Sequence, residues 1–218
     1  MDKRACIFDM DGTLVDSMVY WQRLGREYLT AQGVTKGVDE VLERIKAMTM
    51  AESSALFIKT FGLPGTPESV AAEMNAVMDE HYRSDIPLKP GAADYLAALK
   101  ARGTKMCVAT ATPEPLARAC LERLGVLEDF AFLLSCDEVA AGKDKPDVFF
   151  EAARRLGSAP AETAAFEDAL FAARTAKDAG FYTVGVYDAS GDGHWNELTA
   201  LADETVRDWS AAAERMKI

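Results

Sequence analysis

Residues 7–15 read Ile7-Phe8-Asp9-Met10-Asp11-Gly12-Thr13-Leu14-Val15, and this stretch decides the fold. The apolar run from Ala5 to Phe8 is too brief for a helix and suits a strand covered on both faces. Alternation along a strand lets Asp9 and Asp11 project to the same side just past its carboxyl end. In open α/β sheets that end is where ligands sit. Two like charges so close repel, so the pair calls for a cation or for one acid to carry a proton. Carboxylate oxygens suit Mg²⁺, which takes few protein ligands and favours substrate phosphate as another. A solvated acidic turn is the competing reading of a bare Asp-x-Asp.

Working outward, short apolar runs recur at Lys105–Thr110, Phe130–Ser135, Thr163–Phe166 and Tyr182–Val186, the mark of buried parallel strands. Between them, Ala92–Arg102, Pro115–Leu124, Pro146–Leu156 and Leu170–Ala179 have helical spacing with Ala-rich faces. Gly103, Gly125, Gly157 and Gly180 follow as C-terminal caps. Strand alternating with helix means right-handed βαβ crossovers, hence an α/β, Rossmann-like doubly wound parallel sheet.

Residues 16–85 break the alternation and read almost wholly helical. Met18, Trp21, Leu24 and Tyr28 mark one face, ending at Gly33. Val41, Ile45 and Met48 mark another, followed by Ala55–Phe61 and Glu68–Tyr82. The expected organisation is a catalytic core of residues 1–15 and 86–218 with a helical module of residues 16–85 inserted.

Composition fits. At 218 residues, with 49% hydrophobic and 27% charged content, the chain reads as an ordinary soluble protein with a sizeable core. No apolar run approaches 18 residues, and Met1-Asp2-Lys3-Arg4 leads into a strand without signal-peptide architecture, so the expected compartment is the cytoplasm. Cys6, Cys107, Cys120 and Cys136 are widely spaced in apolar or helical surroundings and read as reduced core residues. A net charge of −11 argues against nucleic acid or an anionic membrane as partner. It also means that a phosphate substrate would need a metal and a well-placed Lys or Arg to hold it.

Asp-x-Asp-Gly-Thr-Leu-Val after an N-terminal strand resembles motif I of the haloacid dehalogenase superfamily of phosphatases and phosphomutases. Thr110, in Val108-Ala109-Thr110-Ala111-Thr112, resembles motif II. Gly142-Lys143-Asp144-Lys145-Pro146-Asp147-Val148-Phe149 resembles motif III, commonly Gly-Lys-Pro-x-Pro-Asp-x-Phe. Alignment on Pro146-Asp147 favours Lys143 as the catalytic lysine, with Lys145 as the alternative. Phe166-Glu167-Asp168 resembles the acidic pair of motif IV, but Ala169-Leu170-Phe171-Ala172 stands where Ser-x-x-Gly is usual. Ala202–Trp209 looks like the closing strand. The inserted module resembles the small cap of the C1 subgroup, which includes β-phosphoglucomutase and phosphoglycolate phosphatase.

The resemblance implies that Asp9 is a nucleophile forming an aspartyl phosphate and that Asp11 is the general acid and then the base. It implies Mg²⁺ held by Asp9, Glu167, Asp168 and the Asp11 carbonyl, and a phosphoryl group cradled by Gly12, Thr110, the Ala111 amide and Lys143. His81 and His194 have no catalytic part and are expected on the surface. The carboxylate at Asp11 points to a phosphomonoester, because related dehalogenases lack it. Related mutases carry a cap arginine for the distal phosphate, and here Met50 stands at that point of Lys46-Ala47-Met48-Thr49-Met50. The expected activity is a monomeric phosphatase acting on a small phosphorylated metabolite, with a β-phosphoglucomutase-like isomerase and a catalytically silent binding module as alternatives. Tyr20, Trp21, Lys46, Met48 and Thr49 are candidates for the substrate-facing side of the cap.

Overall fold

A computed structural model describes residues 3–45, 48 and 50–216. Six strands form one parallel sheet: β1 (Ala5–Phe8), β2 (Lys105–Thr110), β3 (Leu133–Ser135), β4 (Thr163–Glu167), β5 (Tyr182–Val186) and β6 (Glu204–Val206), in the order β3-β2-β1-β4-β5-β6. The first strand is therefore central, with Ala5 opposite both Lys105 and Thr163 and Phe8 opposite both Val108 and Phe166. Strand order reverses between β1 and β4, the switch point at which α/β sheets open a crevice at their carboxyl ends.

Alternation sorts β1 onto two layers. Ala5 and Ile7 enter a core with Cys107, Ala109, Leu134 and Ala165, covered by α8 (Asp147–Leu156) through Val148, Phe149, Ala152, Ala153 and Leu156 and by α9 (Leu170–Asp178) through Ala172 and Ala176. Small residues on β1, β4 and α9 let those helices lie close against the sheet. Phe8 turns the other way, stacking on Phe166 at 4.3 Å with Trp209 at 6.3 Å. Tyr95 of α5 (Ala92–Ala101) meets Trp209 of α11 (Trp209–Met216) at 4.8 Å in the same layer. Full burial of each such ring stabilises by roughly 2–3 kcal/mol.

Two strand assignments need correction. Regular pairing in β3 starts at Leu133, not Phe130: Leu127–Asp129 is a 3-10 turn, and Phe130 leaves it with its ring edge-on to Phe8 at 6.1 Å. The Ala202–Trp209 segment holds only a three-residue strand, because Asp208 accepts from the Ala211 amide at 2.9 Å and opens α11 at Trp209. Two further helices, α7 (Cys136–Val139) and α10 (Trp195–Leu201), lie in stretches without a readable period. Gly103, Gly125, Gly157 and Gly180 take positive φ at the ends of their helices.

The chain divides into two compact units, one of the described residues up to Met18 and from Ile86 on, the other Val19–Asp85. The second unit is built from α1 (Met18–Ala31), α2 (Val38–Ile45), α3 (Met50–Phe61) and α4 (Pro67–Ser84). Leu24, Tyr28 and Leu29 of α1, Phe57 of α3 and Val70, Met74 and Met78 of α4 are buried in it. Tyr28 donates to Glu73 at 2.7 Å, and burial, reinforced by that carboxylate, pushes the phenol up to about 12. Trp21 is committed to Tyr82 at 3.1 Å and Tyr20 to the Asp85 carbonyl at 3.3 Å. Met48 is exposed, and Lys46 and Thr49, two of the cap candidates, lie outside the described residues.

His194 is exposed, but His81 departs from expectation: only 16% of its side chain is open, with Nδ1 at 2.9 Å from Asp85 and Nε2 at 3.1 Å from Glu27. The four cysteines are free and buried, and burial pushes the Cys120 thiol up to about 11, away from reactive thiolate. Among the described residues no helix is long and apolar enough to cross a membrane.

Candidate active site

Immediately past β1 the chain makes a tight loop in which Leu14 and Val15 both donate to the Met10 carbonyl and Gly12 donates to Val15. Gly12 has φ +78°, and a Cβ there would lie 2.3 Å from Asp168 Oδ2, so only glycine admits both the turn and the approaching carboxylate. The loop is pinned from two sides. Thr13 donates to Asp168 Oδ1 at 3.2 Å, while Trp209 Nε1 donates to the Thr13 carbonyl at 3.0 Å.

Asp9 leaves β1 with its amide bonded to the Phe166 carbonyl of β4 at 3.0 Å, which places its carboxylate beside Glu167 and Asp168. One oxygen from each of Asp9, Glu167 and Asp168 lies within 4.8 Å of the others. Lys143 Nζ sits among them, 2.5 Å from Asp9 Oδ1 and 2.8 Å from Glu167 Oε1. Lys143 is buried and Lys145 exposed. Three carboxylates thus face one ammonium, leaving two negative charges in excess in a buried site. An all-oxygen donor set with that excess fits a hard divalent cation such as Mg²⁺.

Without a cation the acids adjust. Burial, reinforced by the Asp9 charge, raises Asp168 to about 7, and burial raises Glu167 well above the usual carboxylate range despite Lys143. Burial alone would lower Lys143, but Asp9 and Glu167 outweigh it and hold the ammonium protonated. Asp188, just beyond β5, adds to the field on Asp168. Its own carboxyl is shifted up by burial and more strongly down by hydrogen bonds from Lys89 and Ser190, so it stays ionised. Lys89 reaches Asp188 Oδ2 at 2.7 Å.

Asp11 lies apart from this cluster. Its Oδ1 accepts from Ser17 Oγ and its Oδ2 from Thr112 Oγ1, each at 2.7 Å. The Asp11 side chain therefore contributes no oxygen to the acidic trio; only its carbonyl was expected to. Thr110 is fully buried at the end of β2, and its Oγ1 accepts from the Thr112 amide at 3.0 Å, so the turn through exposed Ala111 is closed by its own side chain. Thr112, Ser17, Thr13, Asp188 and Lys89 are site residues that the sequence reading missed. Thr112 had a signal, the second Thr of Val-Ala-Thr-Ala-Thr, whereas the others depend on contacts between distant segments. Ala169 occupies the N-cap of α9 and makes no side-chain capping bond, the local effect of lacking the usual Ser.

A carboxylate trio at the switch point of a doubly wound sheet, with a lysine inside it and a second aspartate held apart, is the kind of crevice in which α/β enzymes place their chemistry. The haloacid dehalogenase-like hydrolase family model matches residues 3–180, and the chain belongs to that family and is a hydrolase-class enzyme. It is 30% identical over 207 residues to the phosphoglycolate phosphatase of Escherichia coli (strain K12), covering 85% of this chain and 81% of that protein. The Salmonella typhimurium phosphoglycolate phosphatase is 31% identical over 212 residues, covering 85% and 83%. Among solved structures, a putative beta-phosphoglucomutase from Thermotoga maritima superposes with TM-score 0.82 at 24% identity, over 98% of both chains. CbbY from Rhodobacter sphaeroides, solved in complex with xylulose-(1,5)bisphosphate, gives TM-score 0.73 at 26% identity over 95% of both.

Proposed function

We propose that the chain is a Mg²⁺-dependent phosphatase that hydrolyses a small phosphomonoester through an aspartyl phosphate on Asp9. The observation that carries this reading is the separation of the two motif I carboxylates. Asp9 is ion-paired to Lys143 in the acidic trio, whereas the Asp11 carboxylate stands outside that trio and accepts from the Ser17 and Thr112 hydroxyls. Like groups in unlike surroundings can take unlike roles. Asp9 attacks phosphorus as the leaving oxygen takes a proton from Asp11. Asp11, now ionised, removes a proton from water, which attacks the aspartyl phosphate to release inorganic phosphate and restore Asp9. Lys143 lies where it can stay on Asp9 and a phosphoryl oxygen at once. Thr110 and the Ala111 amide, in the crevice that the Gly12 turn shapes, cradle the remaining oxygens. Mg²⁺ bound by Asp9, Glu167, Asp168 and the Asp11 carbonyl would supply charge to offset the phosphoryl oxygens.

Val19–Asp85 acts as the specificity cap on a core of the remaining residues. The relatives' names put phosphoglycolate first in a substrate panel. Met50, the first residue of α3, offers no cation for a second phosphate, which favours hydrolysis over isomerisation. The test is a panel of phosphomonoesters with Mg²⁺, read by phosphate release, beside a coupled assay for β-glucose 1-phosphate isomerisation with bisphosphate activator. Phosphate release that stops in excess EDTA is expected. Efficient isomerisation, or full turnover in EDTA, would overturn the reading.

A further inference from the structure

At the opposite end of the sheet, the amino ends of β1 and β2 meet the last turns of α5 and α8 around a hollow of about 340 Å³. Lys3, Arg4, Arg102, Lys105, Gly157 and Ser158 line it. Four cationic residues line it in a chain of net charge −11. Most of them are tied to neutral carbonyl oxygens: Lys3 donates to Ala161 at 2.8 Å, Lys105 to Leu156 at 3.0 Å, and Arg102 to Met216. Arg4 faces a carboxylate, Glu162, at 3.5 Å, in a pair largely open to water and so weak. Cations near helix C-termini answer the dipole there, but each ammonium has three donors and each guanidinium five. Lys3 also lies over the Tyr182 ring at 4.6 Å and Arg102 also donates to Met216 Sδ, and each head group still keeps further N–H donors.

A second observation points the same way. Ser158 Oγ is, among the described residues, the buried side-chain polar atom left without a hydrogen-bond partner. Buried hydroxyls are nearly always satisfied, by a ligand or water when not by protein. Gly157, at φ +68°, caps α8, and a Cβ there would stand 3.9 Å from Lys105 Nζ, so glycine leaves that side of the ammonium open.

We propose that this hollow binds a small phosphorylated anion at a site separate from the catalytic centre. Clustered ammonium and guanidinium groups with an added hydroxyl match the several acceptor oxygens of a phosphate ester or pyrophosphate. The site uses no residue of the catalytic loop and does not depend on the proposed reaction.

Inorganic pyrophosphate titrated into EDTA-treated protein, followed by backbone amide NMR, tests it. Resonances of Lys3, Arg4, Gly157 and Ser158 are expected to move, and to move equally in Lys143→Ala, which removes the catalytic cation. The double variant Arg4→Gln/Lys105→Gln should weaken the response about tenfold. Ser158→Glu, which places a carboxylate in the hollow, should abolish it and carries the test if the double variant fails to fold. Shifts confined to Asp9–Gly12 and Thr110–Thr112, or undiminished affinity in Ser158→Glu, would overturn the proposal.

Discussion

The two ends of β1, a strand of four residues, could hardly differ more. Past its carboxyl end, buried acids outnumber the one buried cation, and Lys143 is paired twice. Before its amino end, Lys3, Arg4, Arg102 and Lys105 gather with Glu162 beside Arg4, mostly lie in solvent and are held chiefly by neutral carbonyls. Both arrangements follow from chain direction. In a parallel sheet every strand points the same way, so all the loops that follow strands gather on one edge and all the helix C-termini on the other. Charge at the first edge is desolvated and therefore reactive. Charge at the second is hydrated and suited to reversible binding.

That contrast breaks most visibly at Asp9. Asp9→Asn should reduce phosphate release by about a thousandfold or more, because it removes the attacking charge and a metal ligand together. The fold should persist, since repulsion within the acidic trio is relieved. Activity within tenfold of the unaltered enzyme would sink the role given to Asp9.

The buried acids also fix a pH dependence with a definite sign. Asp168 rises from 3.8 to about 7 on folding, so between those values the unfolded chain is ionised while the folded one holds its proton. Metal-free protein should therefore lose stability as pH rises from about 4 to about 7, by a few kcal/mol in all, and level off above. Glu167 shifts in the same direction. Urea midpoints in EDTA across this range check the slope, and Asp168→Asn should flatten it. A rise in stability over the same interval would contradict the charge excess described for the site.

A smaller effect sharpens the comparison within the catalytic edge itself. Thr112→Val keeps shape but removes the hydroxyl that donates to Asp11 Oδ2. Turnover should fall about tenfold while KM stays within a factor of two, since the acid–base step, not binding, depends on how Asp11 is held. A change in KM alone would make Thr112 a substrate contact instead.

The sheet was legible in the sequence wherever a strand is buried on both faces. Ala5–Phe8, Lys105–Thr110 and Tyr182–Val186 are short, mostly apolar runs, and the structure keeps those limits. The pattern failed where a strand thins at the edge. Leu133–Ser135 and Glu204–Val206 are three residues each, shorter than the Phe130–Ser135 and Ala202–Trp209 segments that hold them. Asp9, Glu167 and Asp168 were legible because each stands at a strand end, whereas Lys143 was reached only through the motif III resemblance, since no local pattern marks it. Ser17 and Thr112 were not legible. Their pairing through Asp11 joins positions 101 and 6 residues from it, and no local period records that meeting.

The central position of β1 also has a temporal side. Its partners Lys105–Val108 and Thr163–Phe166 come about 100 and 158 residues later in the chain, so at 5–20 residues per second a ribosome delivers the second flank only after about ten to thirty seconds. Meanwhile Val19–Asp85 is complete and built from local helical packing, which forms far sooner. The strand that leads into Asp9 is thus made first and gains its second neighbour only when β4 emerges. Until β4 emerges, Ala5-Cys6-Ile7-Phe8 keeps one edge open even after β2 has paired with the other, an apolar strand edge that a nascent chain must shield.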